Sequence, residues 1–121
     1  MTREAIAEAP GPIALEAARR FDAIVALKAA RTIVAAPDGT LLRYDDGSSG
    51  LGTSGSGDVL AGVIGGLLGR GCDPLVAVAA GIWIHGEAGC RSAARFGPIG
   101  FLARDLLEEI PRAMAELASL G

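Results

Sequence analysis

A glycine-rich segment, Gly47–Gly71, constrains this chain more than any other feature of its sequence. Its first part is a loop, because Asp45–Gly57 contains five glycines, four serines and one threonine. A long irregular connection within a compact domain is usually functional. Its second part is a helix that we expect to open at Asp58 and to carry an apolar stripe along one side. The stripe comprises Val59, Leu60, Val63, Ile64, Leu67 and Leu68.

The same helix carries four glycines on the side opposite the stripe. In a helix, each glycine costs roughly 1 kcal/mol relative to alanine. We therefore expect another part of the protein to pack very close to that side. The four residues are Gly62, Gly65, Gly66 and Gly69.

The junction between the loop and the helix has the chemistry of an anion site. Backbone N–H groups without side-chain cover can converge on an anion there, and the helix dipole adds partial positive charge. The residues that would form the cradle are Gly55, Ser56, Gly57 and Asp58. Asp58 has two interpretations: an N-cap at the end of a flexible turn, or a general base that takes a proton from a hydroxyl during phosphoryl transfer. A Walker A loop is excluded because no Gly-Lys-Ser/Thr follows the glycines.

The rest of the chain is typical of an α/β protein. Residues 1–12 read as a leader that Pro10-Gly11-Pro12 closes, and residues 13–121 as the domain. We expect strands at Ala23–Leu27, Thr32–Ala35 and Leu41–Tyr44, the last two forming a hairpin around Pro37-Asp38-Gly39. The expected helices are Ile13–Phe21, one from Pro74 to about Arg95 with Asp73 as N-cap, and segments Leu102–Ile110 and Arg112–Leu120 around Pro111.

Composition excludes several classes of protein. Half of the 121 residues are hydrophobic, which is too apolar for disorder, and a net charge of −3 argues against a nucleic-acid surface. The most hydrophobic segments, Val59–Gly69 and Leu75–Ile84, are too short to span a membrane. Cys72 and Cys90 have no ligand cluster around them and predict free thiols in a reducing cytoplasm. We expect no protein metal site, a packed His85, and a solvated charged face at Arg104–Arg112.

Five motifs, in order and over roughly residues 14–118, resemble the ADP/ATP-dependent NAD(P)H-hydrate dehydratase family of the ribokinase-like superfamily. The family shows V-V-L-K-G-x-x-T, then T-G-G-T/S-G-D-V-L-A-G, G-L-D-P, H-G-x-A-G-D and G-L-L-A-S-D-L-I-x-x-L-P. Here the corresponding stretches read IVALKAART, GTSGSGDVLAG, GCDP, IHGEAG and GFLARDLLEEIP. The sequence departs from the family at Ala29, at Ser48-Ser49 and at Cys90, where the family has glycine, Asn-Pro and an acidic residue.

The resemblance implies a fold, a reaction and site residues. The fold would be the C-terminal portion of a three-layer α/β/α ribokinase-like domain. The reaction would be repair of hydrated NADH or NADPH: ADP or ATP, with Mg²⁺, phosphorylates the hydrate hydroxyl, and phosphate is then eliminated. Asp58 would be the catalytic base at the substrate hydroxyl, and Gly55, Ser56 and Gly57 the anion hole. The nucleotide would contact Gly57 and the segment Lys28, Ala29, Ala30, Arg31 and Thr32.

Two other functions stay open at this point. One is a related small-molecule kinase that uses the same loop. The other is a truncated nucleotide-binding or assembly module without activity. In every case three short strands cannot cover the apolar helices, so we expect association with a second copy or with a complementary N-terminal fragment.

Overall fold

The computed structural model describes residues 10–28, 31–45, 56–97 and 103–120. Within these residues, seven elements follow one another. They are α1 (Pro10–Phe21), β1 (Val25–Lys28), β2 (Thr32–Ala35), β3 (Leu41–Tyr44), α2 (Ser56–Gly69), α3 (Pro74–Phe96) and α4 (Ala103–Leu120). Among the described helices, none is long and apolar enough to cross a membrane.

The strands form one antiparallel sheet in the order β1-β2-β3. β-branched residues and the Pro37-Asp38-Gly39 turn favour the hairpin between β2 and β3, and the prediction of that hairpin is confirmed. Asp38 accepts a hydrogen bond from the Thr40 backbone N–H at 2.9 Å, and Gly39 supplies the positive φ of 100° that the turn needs.

Alternate residues of the sheet face two separate helical layers. Ile33 and Ala35 of β2 pack with Ala14 and Ala18 of α1. Val34, between them in sequence, packs on the opposite face in one cluster with Leu60 of α2 and Ile82 of α3. Because side chains alternate across a strand, the sheet lies between α1 on one side and α2 with α3 on the other. α4 packs outside this arrangement against α3 and α2.

Three of the predicted boundaries that differ from the structure have a physical explanation. The first helix begins at Pro10 and not at Ile13, because proline is tolerated where the first helical turn needs no N–H donor. The first strand begins at Val25 and not at Ala23, since Asp22 and Ala23 belong to the turn after α1. Pro111 lies inside one continuous helix, α4, and does not separate two segments.

The glycines of α2 do not meet a close neighbour, and that prediction is wrong for the part of the chain that the structure describes. A methyl group added at Gly62, Gly65, Gly66 or Gly69 would meet no described atom within 4 Å. The close approach is at Gly81 of α3, where an added Cβ would lie 2.5 Å from Cγ1 of Ile64. The two helices therefore cross where Ile64, on the apolar side of α2, packs against Gly81 of α3.

The charged stretch of α4 is not simply a solvated face, so that prediction is also wrong. Glu109 is buried and its Oε1 lies 3.2 Å from Nη1 of Arg95 and 3.5 Å from Nη1 of Arg112. Glu116 pairs with Arg91 in the same interface between α3 and α4. His85 is buried as predicted, and Cys72 and Cys90 form no disulfide within the described residues.

Candidate functional site

Asp58 lies within the first turn of α2 and is exposed to solvent. The helix begins at Ser56, so Asp58 is its third residue and not the N-cap that electrostatics alone would suggest. The first four N–H groups of an α-helix have no intrahelical acceptor, and among the described residues they include those of Ser56, Gly57 and Asp58. A carboxylate and a set of unpaired amide donors are thus held at one helix end.

The predicted anion hole is partly described by the structure. Gly57 is exposed, and a Cβ built on it would meet no described atom within 4 Å, so its backbone is open to a ligand. Ser56 contributes the first helical amide. Gly55 lies outside the described residues. The helix dipole favours negative charge at this end, which suits both an anion and the Asp58 carboxylate.

Lys28 and Thr32, at the two ends of the predicted nucleotide segment, are direct cross-strand partners. Lys28 ends β1 and is exposed, whereas Thr32 begins β2 and is half-buried. Ala29 and Ala30, between them, lie outside the described residues. The register therefore brings together two of the residues that sequence reasoning assigned to the nucleotide.

The same row of the sheet continues to a residue that sequence reasoning missed. Thr32 pairs with Tyr44 of β3, so Lys28, Thr32 and Tyr44 lie side by side across three strands. Directly paired residues point to the same face of a sheet. Tyr44 packs in the cluster of Val34 and Leu60, so this row faces α2 and α3. A sequence signal was available, because Tyr44 follows Leu42 at the period of two within a predicted strand.

Arg31 lies on the turn between Lys28 and Thr32, and its charge is partly compensated. Its Nε lies 3.5 Å from Oδ1 of Asp45, while Oδ2 of Asp45 lies 3.3 Å from Nε of Arg43. All three side chains are largely exposed, so these pairs contribute little to stability. Two guanidinium groups share one carboxylate, which leaves this end of the sheet with excess positive charge beside Lys28.

The elements that carry the predicted residues meet through the core. Leu60 follows Asp58 by two positions, Val34 follows Thr32 by two positions, and both are buried in one cluster. The contact between α2 and the sheet is therefore made two residues away from Asp58 on one side and two residues away from Thr32 on the other. Within the described part of the chain, the Asp58 carboxylate forms no ion pair.

Comparisons with known proteins agree with this arrangement. The ADP-dependent (S)-NAD(P)H-hydrate dehydratase of Xanthomonas campestris pv. campestris is 44% identical over 115 residues, which are 95% of this chain and 40% of the relative. The bifunctional NAD(P)H-hydrate repair enzyme Nnr of Moorella thermoacetica is 44% identical over 105 residues, which are 87% of this chain and 20% of the relative. This chain therefore spans less than half the length of either relative.

A solved structure gives the fold. The ADP/ATP-dependent NAD(P)H-hydrate dehydratase from Bacillus subtilis, co-crystallized with ATP/Mg²⁺, superposes with a TM-score of 0.86 at 28% identity. The superposition covers 92% of this chain and 40% of that one. The predicted fold class is thus confirmed: the chain forms a portion of the ribokinase-like α/β/α fold.

Residues 7–112 match the sequence model of the NAD(P)H-hydrate dehydratase family. That match includes the glycine-rich segment, the Lys28–Thr32 row and all of α3. The chain belongs to the NAD(P)H-hydrate dehydratase family.

Proposed function

We propose that this chain catalyses the nucleotide-dependent dehydration of hydrated NADH or NADPH in the cytoplasm. The observation that supports the proposal most strongly is the exposed Asp58 carboxylate within a helical turn whose amides have no intrahelical acceptor. The names of the relatives support the substrate class, since those proteins are NAD(P)H-hydrate dehydratases and repair enzymes.

The chain's own residues divide the work between binding and proton transfer. The amides of Gly55, Ser56 and Gly57 would bind the phosphoryl group that is transferred, because backbone N–H donors at a helix N-terminus stabilise developing negative charge. The segment from Lys28 to Thr32 would bind the rest of the nucleotide. Asp58 would contact the hydroxyl of the hydrated nicotinamide ring and accept its proton.

The proposed reaction has two steps. The hydrate oxygen forms a bond to the terminal phosphorus of ADP or ATP as the bond from that phosphorus to the bridging oxygen breaks, and the hydroxyl proton passes to Asp58. AMP or ADP leaves. The carbon–oxygen bond to the new phosphate then breaks with its electron pair on the phosphate, while the neighbouring ring carbon gives up a proton to the departing phosphate or to water, which yields inorganic phosphate and the dihydropyridine.

Mg²⁺ would accompany the nucleotide phosphates, where it supplies charge neutralisation. No three His, Cys, Asp or Glu side chains cluster as a metal site within the described residues. At nucleotides, Mg²⁺ is usually held by one or two carboxylates together with phosphate oxygens and water. Asp58 is the described carboxylate at the helix end where such a cation would lie.

The base is tested with Asp58→Asn, assayed with hydrated NADH and ADP for recovery of the dihydropyridine absorbance. We expect at least about a hundredfold loss of turnover, the usual contribution of a general base. Asp22→Asn is the matched control, because Asp22 is exposed and its positive φ of 49° also suits asparagine. Unchanged turnover in Asp58→Asn would rule out Asp58 as the base.

Nucleotide binding is tested separately by calorimetry and by thermal unfolding with ADP, ATP or AMP. A ligand at a hundred times its Kd stabilises a folded protein by about 2.7 kcal/mol. Absence of any shift at millimolar nucleotide would favour an inactive assembly module. Turnover of a panel of alcohols with ATP, without turnover of hydrated NADH, would favour a small-molecule kinase.

We further propose that the open side of α2 contacts a complementary N-terminal portion of the family fold and not a second copy of this chain. The glycines on that side are exposed, as are Leu68 and Val76 nearby. The Xanthomonas relative has further chain amounting to the 60% of its length that this chain does not span. Mixing this chain with that remainder should give a one-to-one complex in analytical ultracentrifugation, whereas a homodimer or a stable monomer would contradict the proposal.

A further inference from the structure

Tyr44 and Gly86 form a contact that no predicted function uses. A Cβ built on Gly86 of α3 would meet the phenol oxygen of Tyr44 first, and it would lie 2.6 Å from both Cε1 and Cζ of the ring, which is closer than real Cβ contacts allow. Gly86 is itself buried. Only a residue without a side chain at position 86 leaves room for the ring, so β3 is held against α3 by a tyrosine seated on a glycine.

The contact lies at the end of the row that carries the proposed nucleotide residues. Tyr44 is the direct partner of Thr32, and Thr32 is the direct partner of Lys28. Paired residues on one face have their Cβ atoms about 4.5–5.5 Å apart. A sideways movement of the Tyr44 ring is therefore passed to its immediate neighbour in the row.

The contact also joins that row to the helix that carries Asp58. Tyr44 packs in one cluster with Leu60 and Ile64 of α2 and with Ile82 of α3. Leu60 is two residues from Asp58 along the same helix. The ring thus touches the sheet end, α3 and the cluster beneath α2 at the same time, and few other side chains could fix their relative positions.

We propose that Tyr44, seated on Gly86, is a positioning residue that sets Lys28 and Thr32 relative to the N-terminus of α2 for nucleotide binding. This inference rests on the proposed function. Tyr44 acts through Thr32 and Lys28 and is not assigned any contact with the nucleotide. The effect is carried by the packing of the whole Tyr44 side chain, ring and phenol oxygen, against Gly86.

The test measures ADP affinity by calorimetry in Tyr44→Ala, Gly86→Ala and Tyr44→Phe, at a temperature where every variant is fully folded. We expect Tyr44→Ala and Gly86→Ala each to weaken ADP binding about tenfold, the scale of coupling between residues in contact. Tyr44→Phe keeps the ring and loses only the phenol oxygen, so we expect it to lose less affinity than Tyr44→Ala. Leu42→Ala is the matched control, since Leu42 lies on the same strand and face one row away and is partly exposed.

A double variant separates positioning from general destabilisation. In the Tyr44→Ala background, Gly86→Ala has no ring to displace, so we expect it to cause no further loss of affinity. Additive losses, or an equal loss in Leu42→Ala, would overturn the inference, as would a Tyr44→Phe variant that binds as weakly as Tyr44→Ala.

ADP binding by the wild type distinguishes failure of the proposed function from failure of the positioning role. A wild-type chain that binds no ADP, alone or with the complementary portion, would refute nucleotide binding and with it this inference. A wild type that binds ADP together with a Tyr44→Ala variant of equal affinity would refute only the positioning role. Amide hydrogen exchange at Lys28 and Thr32 gives a second readout, and it should be faster in Tyr44→Ala than in Leu42→Ala.

Discussion

The buried carboxylate of Glu109 lies 3.2 Å from Nη1 of Arg95 and joins α4 to α3. Only 2% of the Glu109 side chain is exposed, against 46% for Arg95. Glu108 and then Glu109 raise the pKa of Arg95 through their hydrogen bonds. The two helices are therefore connected by an ion pair with one end inside the protein, where an unpartnered charge is costly.

The Glu109→Gln variant should be less stable by roughly 1–3 kcal/mol, because the neutral amide binds the guanidinium groups more weakly inside the interface. Urea unfolding monitored by circular dichroism measures this change. Glu108→Gln removes a carboxylate from the same arginine, yet Glu108 is 69% exposed. We expect about 0.5 kcal/mol or less for that control. Equal losses in both variants would contradict the importance of burial at position 109.

The crossing of α2 and α3 gives opposite predictions for two glycines. Gly81→Ala places a Cβ 2.5 Å from Cγ1 of Ile64, so the helices must separate or Ile64 must change rotamer. We expect a loss of about 1–3 kcal/mol in the free energy of unfolding. Gly65→Ala has open space around it and should stabilise this chain by about 1 kcal/mol through helix propensity.

The same Gly65→Ala variant checks the proposed contact of α2 with a complementary portion. A methyl group that stabilises the isolated chain should weaken the complex if another backbone approaches that side closely. Unchanged complex affinity would place the contact elsewhere.

Local signals in the sequence predicted most of the fold. The β-branched strands around Pro37-Asp38-Gly39 and the Asp73-Pro74 start of α3 depend on neighbouring residues, and the structure confirms both. The site residues Asp58, Lys28 and Thr32 could be proposed from the sequence, since each belongs to a continuous motif. The row formed by Lys28, Thr32 and Tyr44 follows from strand register, which the motif does not contain.

The features that sequence reasoning missed depend on contacts between distant segments. Burial of Glu109 is decided by which side of α4 faces Arg95, and a mixed charge run gives no sign of that. The Gly86 contact exists because Tyr44 arrives from a strand far away in the sequence. At the crossing of α2 and α3 the tight glycine is Gly81 and not one of the four in α2, because the apolar edge of α2 forms the crossing.

The N-cap of α3 should be worth a measurable part of the stability. Asp73 accepts hydrogen bonds from the backbone N–H groups of Leu75 at 3.1 Å and Val76 at 3.4 Å. Asp73→Ala should lower the free energy of unfolding by about 1 kcal/mol, and Asp73→Ser should retain most of it. Urea unfolding of both variants decides this, and a serine variant as unstable as the alanine one would argue against capping.

Stability should fall at acid pH partly through Asp38. The Thr40 backbone N–H, donating at 2.9 Å, holds the pKa of the Asp38 carboxyl below its ordinary value. A group whose pKa is lower in the folded state stabilises the fold above its unfolded pKa, and this contribution is lost as the pH falls through the folded pKa. The Asp38→Ser variant keeps an acceptor for Thr40 but does not titrate. Its unfolding should therefore depend less on pH in the acid range than that of the wild type, and identical pH profiles would show that the Thr40 hydrogen bond does not favour the ionised carboxylate.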